Sequence, residues 1–434
     1  MVSKKEKHAG NQTPLGGEDR VAIIDGARTP FAKAWTVFND MNEADLAREA
    51  VNALVNRSEI DPSLIDEVVM GCVSAPMNGP NVAREVVLRT ALPRDIPAST
   101  VQQYCASSAL AAVNAAGIIL MGAADVAIAG GVESTSSAQA RISLPLTQAL
   151  NEASSAKSPM DMVKAFEGLE PKDLLPDVPA IAEPTTGNRM GDSAEIMAKQ
   201  YEISREEQDE YAELTHHRAA AAYEEGKFDE VVTVYTGEKL DNPVKQDTMV
   251  RPDTSAEKMA NLSPVFDKKH GTLTAANSSP LTDGASAVLL MRESTAKELG
   301  FEPKAYIRSH AQMGVDLFNV PMLMGPTFAT PKALARGGVT LDDMDLIEMH
   351  EAFAAQILAN IRVWESEELC TDLGLEGKIG DVDMDIFNVN GGSIPIGHPF
   401  GATGARMIMQ LANEMERQDS ELALLTMCAA GGLG

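Results

Sequence analysis

Aromatic side chains are scarce in this 434-residue chain, at 4% of the total, within an otherwise ordinary soluble composition of 44% hydrophobic residues. Basic residues are short too: 36 Lys and Arg stand against 63 Asp and Glu, a formal charge of −27. Such a surface repels nucleic-acid phosphates and argues against a nucleic-acid partner. Any site for a phosphate-bearing small molecule must gather its cations against that field. Long apolar runs are missing; a membrane span needs about 20 apolar residues, and no stretch reaches that. Residues 1–20 are polar and rich in Gly and Lys, without the apolar core of a signal peptide. They read as a flexible tail, and the cytoplasm is the expected compartment.

Cysteine is sparse as well. Cys72, Cys105, Cys370 and Cys428 form no Cys-x-x-Cys pair, so no zinc or redox motif is signalled, and four are too few for a disulfide framework. Cys72 and Cys370 lack any surrounding motif and are expected in the core. His216 and His217 are adjacent on a helical pattern and diverge, so they do not chelate one metal.

What is present is alternation. Strand-like runs at 21–25, 67–72, 99–102 and 126–129 are separated by helical patterns at 44–56, 83–91 and 106–121, which predicts an α/β domain with a largely parallel sheet. From about 141 to 264 strand signals thin out and Pro and charged residues rise, which reads as an inserted loop domain. Within it, 204–226 is a helix with Ser204 at its start, early Glu206 and Glu207, and a glycine stop. A clean apolar strand returns at 285–291. Strands recur at 304–309, 346–349, 386–389 and 422–427, so the second half repeats the first in outline. The expected organisation is a tail at 1–20, a first half at 21–292 and a second at 293–434. A counterpart of 285–291 would follow Gly434, so the second half is expected to lack its last strand.

Four segments carry chemistry. In 101–110, Val-Gln-Gln-Tyr-Cys-Ala-Ser-Ser-Ala-Leu, Cys105 stands where a β-run meets a helix of small residues. A thiol facing a helix N-terminus is stabilised as thiolate, with a pKa expected below about 8.5. The alternative is a cysteine packed against the sheet. In 388–404 a strand feeds a loop with five glycines, with His398 at its apex. That histidine is placed to accept a thiol proton and to donate to an oxyanion, or is merely satisfied by backbone. The loop matches no nucleotide fingerprint. After the strand at 422–427 comes Cys-Ala-Ala-Gly-Gly-Leu-Gly, whose Cys428 is either a second acid–base thiol or a buried cysteine before a turn. At 350–356, His-Glu-Ala-Phe-Ala-Ala-Gln, His350 is a candidate to hold a catalytic water or a core histidine, and Glu351 a helix-dipole partner.

In this order the four segments resemble the thiolase family. Arg28-Thr29-Pro30, Gly130-Gly131-Val132-Glu133-Ser134, the run 189–195 and the run 274–279 extend the resemblance across nearly the whole chain from Val21. It implies a thiolase-like α/β fold: two duplicated βαβαβαββ halves in five layers with an inserted loop domain. It implies that Cys105 carries the acyl group, that His398 activates it, and that Cys428 shuttles the proton of the acetyl-CoA carbanion. One oxyanion hole would use His398 with a water held by His350; the other would use the backbone N–H groups of Cys105 and Ala430. Met190, Arg251, Ser279, Leu281 and Phe353 match positions around CoA, which is a substrate; no cofactor or metal is implied.

Most thiolases carry Asn where His350 stands. Histidine there, the insertion at 141–184 and the Ala-Ala variant resemble the β subunit of bacterial fatty-acid oxidation complexes. That implies thiolysis of 3-ketoacyl-CoA in β-oxidation, a homodimer, and an α2β2 assembly with a hydratase/dehydrogenase subunit. The segment 151–180 holds more acid than base, against a basic membrane-surface helix. A biosynthetic acetoacetyl-CoA thiolase and an inactive scaffold of the same fold are the alternatives. Ketoacyl synthases share the nucleophile but lack the second cysteine, so Cys428 far from Cys105 would favour them.

Overall fold

The computed structural model describes residues 17, 19–176 and 182–434, so most of the expected tail at 1–20 lies outside the described residues. The first half runs β1 (Val21–Arg28), α1 (Glu43–Ser58), β2 (Glu67–Gly71), α2 (Val82–Arg89), β3 (Ala98–Val101), α3 (Ser107–Leu120), β4 (Val126–Ser134) and, after a long excursion, β5 (Thr282–Arg292). Its 7-stranded sheet has the order β3-β2-β4-β5-β1 followed by Ala305–Tyr306, with Ala32–Lys33 paired to β5.

Every residue of β1 is buried, and the pleat explains how. Ala22 and Ile24 pack on Leu46 and Leu54 of α1 and Val86 of α2. Val21 and Ile23 face the other way, onto Ala111, Ala115 and Ile119 of α3 and onto Ala405 and Met409 of a later helix. A sheet covered on both faces needs continuous apolar strands, as the sequence has.

The excursion before β5 supplies α4 (Met190–Gln200) and α5 (Arg205–Glu224), and the second half supplies α6 (Gly325–Gly337), β6 (Leu346–Met349), α7 (Ala354–Trp364), α8 (Thr403–Gln418) and β7 (Ala423–Thr426). Strands β6 and β7 pair in parallel, with Leu346 opposite Ala423. Ile347 and Met349 pack with Leu334 of α6 and Ile357 and Trp364 of α7, whereas Glu348 between them ion-pairs with Arg406 of α8 at 2.8 Å. Helix α8 touches both sheets and α3. The layers are therefore α1 with α2, the large sheet, α3 with α8, the small sheet, and α6 with α7.

Three expectations change. The large sheet is mixed: β2 is parallel to β3 and β4, but β5 runs antiparallel to both β4 and β1. The expected strand at 386–389 shrinks to one bridge, Phe387 to Ile347, because Asn388 has φ 44° and turns the chain out of the ladder. The expected strand at 304–309 is two residues long, Ala305–Tyr306.

The inserted region divides. Ala138–Ala182 is a compact unit of its own, narrower than the expected 141–264. It holds helices Leu144–Ser154 and Pro159–Lys164, capped by Ser143 and Ser158, and it exposes Leu144, Met160, Val163, Leu174 and Leu175. Residues from Glu183 onward belong to the main body. There α5 carries the expected cap: Ser204 Oγ accepts from the Glu207 N–H at 3.1 Å, and the Glu207 carboxylate accepts from the Ser204 N–H at 2.7 Å. Among the described residues no helix is long and apolar enough to cross a membrane.

Candidate active site

β3 ends at Val101 and α3 begins at Ser107, so Cys105 sits in the intervening turn and not on the first helical residue. Tyr104 takes φ 49°, and Ser107 Oγ clamps the turn by accepting from the Gln103 N–H at 2.9 Å and donating to the Tyr104 carbonyl at 2.6 Å. The residue keeps some accessible surface, but its sulfur is enclosed. Burial pushes the thiol up to about 12, outweighing the backbone N–H groups of Ala430 and Cys105 that favour thiolate; the Glu133 charge adds to the rise. The expected depression below the free-cysteine value is thus corrected: burial favours the neutral thiol of Cys105.

His398 is brought to Cys105 by helix crossing. A Cβ on Gly404 would collide with the backbone nitrogen of Ala109, so only glycine lets the first turns of α8 and α3 come this close. The His398 Nδ1 lies 2.7 Å from Thr403 Oγ1, and that hydroxyl donates to the Pro399 carbonyl at 3.0 Å. Burial, with Arg406 as a lesser cause, pushes His398 down to about 3. A neutral imidazole is what a general base requires.

His350 lies beside it, with ring centroids 4.1 Å apart and planes tilted by 47°. Its Nδ1 is 2.9 Å from Ser393 Oγ, and burial, His398 and Arg406 hold its pKa well below the usual imidazole range. The Nε2 atoms of both histidines are buried without a hydrogen-bond partner among the described residues. One ring nitrogen of each and the Cys105 sulfur lie within 4.8 Å of one another.

Cys428 is buried, and its thiol is pushed well up by burial and then by the proximity of Cys105. The two cysteines are neighbours, which removes the observation that would have favoured a ketoacyl synthase. The loop after it is a 3-10 turn, Ala430–Gly432, closed by reciprocal backbone bonds between Ala429 and Leu433. Positive φ falls on Gly431 and Gly432 and not on Ala430. Alanine is thus accommodated, and its N–H faces the Cys105 sulfur.

Glu351 does more than complement a helix dipole. Its carboxylate accepts from Tyr211 Oη and Thr215 Oγ1 at 2.8 Å, Asn388 Nδ2 at 2.9 Å and the Ile394 N–H at 3.1 Å. It therefore ties β6 and α5 to the glycine loop that presents His398.

Of the expected CoA positions, Met190 and Phe353 pack in the same cluster as Cys428. Ser279 donates its N–H to the Ala352 carbonyl at 3.0 Å, and Leu281 bridges to His398. Arg251 stands apart on the exposed surface, its N–H donating to His216 Nδ1 at 3.2 Å. Cys72 and Cys370 are core residues as expected, Cys370 donating to the Val363 carbonyl. Ser393 of the glycine loop and Thr403 and Arg406 of α8 carry no motif of their own, and only nearness to His398 in the chain marks them.

A cysteine with an enclosed sulfur beside two imidazoles and a facing N–H, on this layered α/β fold, fits an acyltransferase. The chain belongs to the thiolase family: residues 21–294 match the thiolase N-terminal domain and 301–434 the thiolase C-terminal domain. It is 48% identical over 418 residues to the 3-ketoacyl-CoA thiolase of Yersinia enterocolitica serotype O:8, covering 96% of this chain and 95% of that one. It is 47% identical to that of Colwellia psychrerythraea, over 96% of each. Among solved structures, human mitochondrial 3-ketoacyl-CoA thiolase in complex with CoA superposes with TM-score 0.81 at 30% identity over 98% of both chains. Bacillus anthracis acetyl-CoA acetyltransferase does so with TM-score 0.81 at 31% identity, again over 98% of each.

Proposed function

We propose that the protein is a 3-ketoacyl-CoA thiolase acting in fatty-acid β-oxidation, an acetyl-CoA C-acyltransferase with CoA as second substrate and no cofactor. The observation that carries this is the gathering of Cys105, His350 and His398 within 4.8 Å from three distant segments, with Cys428 close enough to Cys105 for its charge to be felt. The Cys105 proton passes to His398 Nε2 as the sulfur attacks the substrate ketone at C3. The C2–C3 bond breaks, its electron pair stays on C2, and that carbanion takes the proton of Cys428 to leave as acetyl-CoA. The Cys428 thiolate then deprotonates CoA, whose sulfur attacks the acyl thioester, and Cys105 leaves and recovers its proton from His398.

Ala430 and Cys105 N–H groups support one oxyanion; His398 and His350 support the other. The substrate-lining residues of this reading are Met190, Ser279, Leu281 and Phe353, with Arg251 as a cation for the CoA phosphates. A cytoplasmic homodimer, assembled with a hydratase/dehydrogenase subunit, completes it. The likeness to an acetyl-CoA acetyltransferase supports a second reading, condensation of two acetyl units by the same residues.

The test is incubation with a long-chain 3-ketoacyl-CoA in the absence of CoA, followed by peptide mass spectrometry. The expected result is a long-chain acyl group on Cys105 with acetyl-CoA released. Transfer from acetoacetyl-CoA alone would favour the second reading, and a folded protein acylated by neither would overturn both.

A further inference from the structure

We infer that Ser393 and Arg406 are positioning residues that hold His350 as its Nε2–H tautomer, so that the two active-site imidazoles are set oppositely: His398 as a proton acceptor and His350 as a donor. The inference rests on the proposed roles of these histidines and adds what sets them.

For His398 the tautomer follows from its proposed role as the base for Cys105. Thr403 Oγ1 lies 3.0 Å from the Pro399 carbonyl and 2.7 Å from His398 Nδ1, and a base toward Cys105 needs Nε2 bare, so the hydroxyl turns its hydrogen to the carbonyl and accepts from Nδ1. Nδ1 therefore carries the proton and Nε2 is bare.

The count at His350 runs the other way. Ser393 is fully buried, and its Oγ receives an N–H from Arg406 Nη2 at 2.8 Å; a guanidinium has no acceptor, so this direction is fixed. The Ser393 hydroxyl hydrogen then has His350 Nδ1, at 2.9 Å, as its acceptor among the described residues. The reverse tautomer would aim two N–H donors at one oxygen and leave its hydrogen buried and unsatisfied, an arrangement that folded proteins avoid. Hence Nδ1 accepts and Nε2 bears the proton.

Arg406 is held in turn by Glu348 at 2.8 Å and Gln410 at 3.1 Å. Thr403 and Arg406 stand three residues apart in the first turns of α8, one face of the helix setting both rings. The resting site thus presents an acceptor for the Cys105 proton and a donor for a substrate oxygen or the water beside it, before any proton has moved.

The test uses full-length protein labelled with 15N-histidine and long-range 1H–15N correlation, each ring assigned by single substitution of His350 or His398. The expected result is the Nε2–H pattern for His350 and the Nδ1–H pattern for His398. Ser393→Ala should turn His350 into a mixture of tautomers and lower kcat about 10- to 100-fold with KM little changed, while Ser393→Thr, which keeps the hydroxyl, should restore both. Arg406→Gln combined with Glu348→Gln, which removes both buried charges together, should relax the same lock. An Nδ1–H pattern for His350 in the unaltered protein would overturn the inference, as would an unchanged His350 pattern in Ser393→Ala. The stated tautomers in a protein that forms no acyl adduct would support the inference while counting against the thiolase reading.

Discussion

The Ala405 N–H donates to Ser108 Oγ across 2.9 Å, joining the first turn of α8 to the first turn of α3. Cys105 leads into one helix and His398 into the other, so this bond lies beside the crossing that brings His398 to Cys105. One residue earlier, Gly404 leaves no room for a side chain.

Gly404→Ala is therefore expected to reverse the usual sign of such a change. In an unstrained helix the substitution stabilises by about 0.5–1 kcal/mol. Here forced separation should destabilise by about 1–3 kcal/mol, read as a lower denaturation midpoint, and acyl-enzyme formation should slow. A midpoint raised above that of the unaltered protein would contradict the close approach.

Ala430→Pro tests the backbone donor. Ala430 opens its 3-10 turn, where proline is tolerated, and the change replaces the N–H that faces Cys105 with a ring methylene that cannot donate. Loss of one such donor should lower kcat by about 10²–10³-fold with the fold retained. Full activity in Ala430→Pro would exclude this N–H from transition-state stabilisation.

Glu133 is a buried carboxylate that accepts from the N–H groups of Val73 at 3.1 Å, Ser74 at 2.8 Å and Gly401 at 3.0 Å, and burial pushes it up from 4.5 to about 7. Its folded-state pKa is above the unfolded one, so its contribution to stability is present below the unfolded value and lost as pH rises through the folded value. The full swing is about 3 kcal/mol, at 1.36 kcal/mol per unit. The stability difference between the unaltered protein and Glu133→Gln should accordingly shift in favour of the variant from about pH 5 to pH 8, measured by urea denaturation. A pH-independent difference would show that Glu133 does not titrate in this window.

The cluster of Cys105, His350 and His398 offers three soft ligand atoms within 4.8 Å. Zinc binds such a set by displacing the thiol proton. Dialysis against EDTA should leave thiolysis unchanged, and added zinc should inhibit it while protecting Cys105 from alkylation. Activity lost to EDTA and recovered with zinc would make the metal part of the reaction.

The candidate residues stand out in the sequence because each lies beside glycine or small residues at the edge of an element: Cys105 in the turn after β3, His398 before α8, Cys428 after β7. The five-layer plan was legible through the family resemblance and the continuous apolar strands. What stayed hidden depends on distant contacts. No local signal tells that β5 enters the sheet reversed, or that Asn388 turns left-handed to place its amide on Glu351 and Met349. The expected thiolate at Cys105 fails because its helix-end setting is local, whereas its burial comes from residues distant in sequence such as Met407, Met427 and Ala429. Thr403, Ser393 and Arg406 matter only through the atoms they meet after folding.

Because the two helices meet at their N-terminal ends, the crossing at Gly404 acts as a fulcrum. The 16 residues of α8 extend about 22 Å at 1.5 Å per residue. A tilt of about 2° would swing the Arg417 end by about 0.7 Å but move Thr403 and Arg406 by only about 0.1 Å, given that rise per residue. The far end of α8 is therefore pinned at a second point, where Glu414 accepts from Asn390 of the glycine loop at 2.9 Å, and this tether denies the lever its swing.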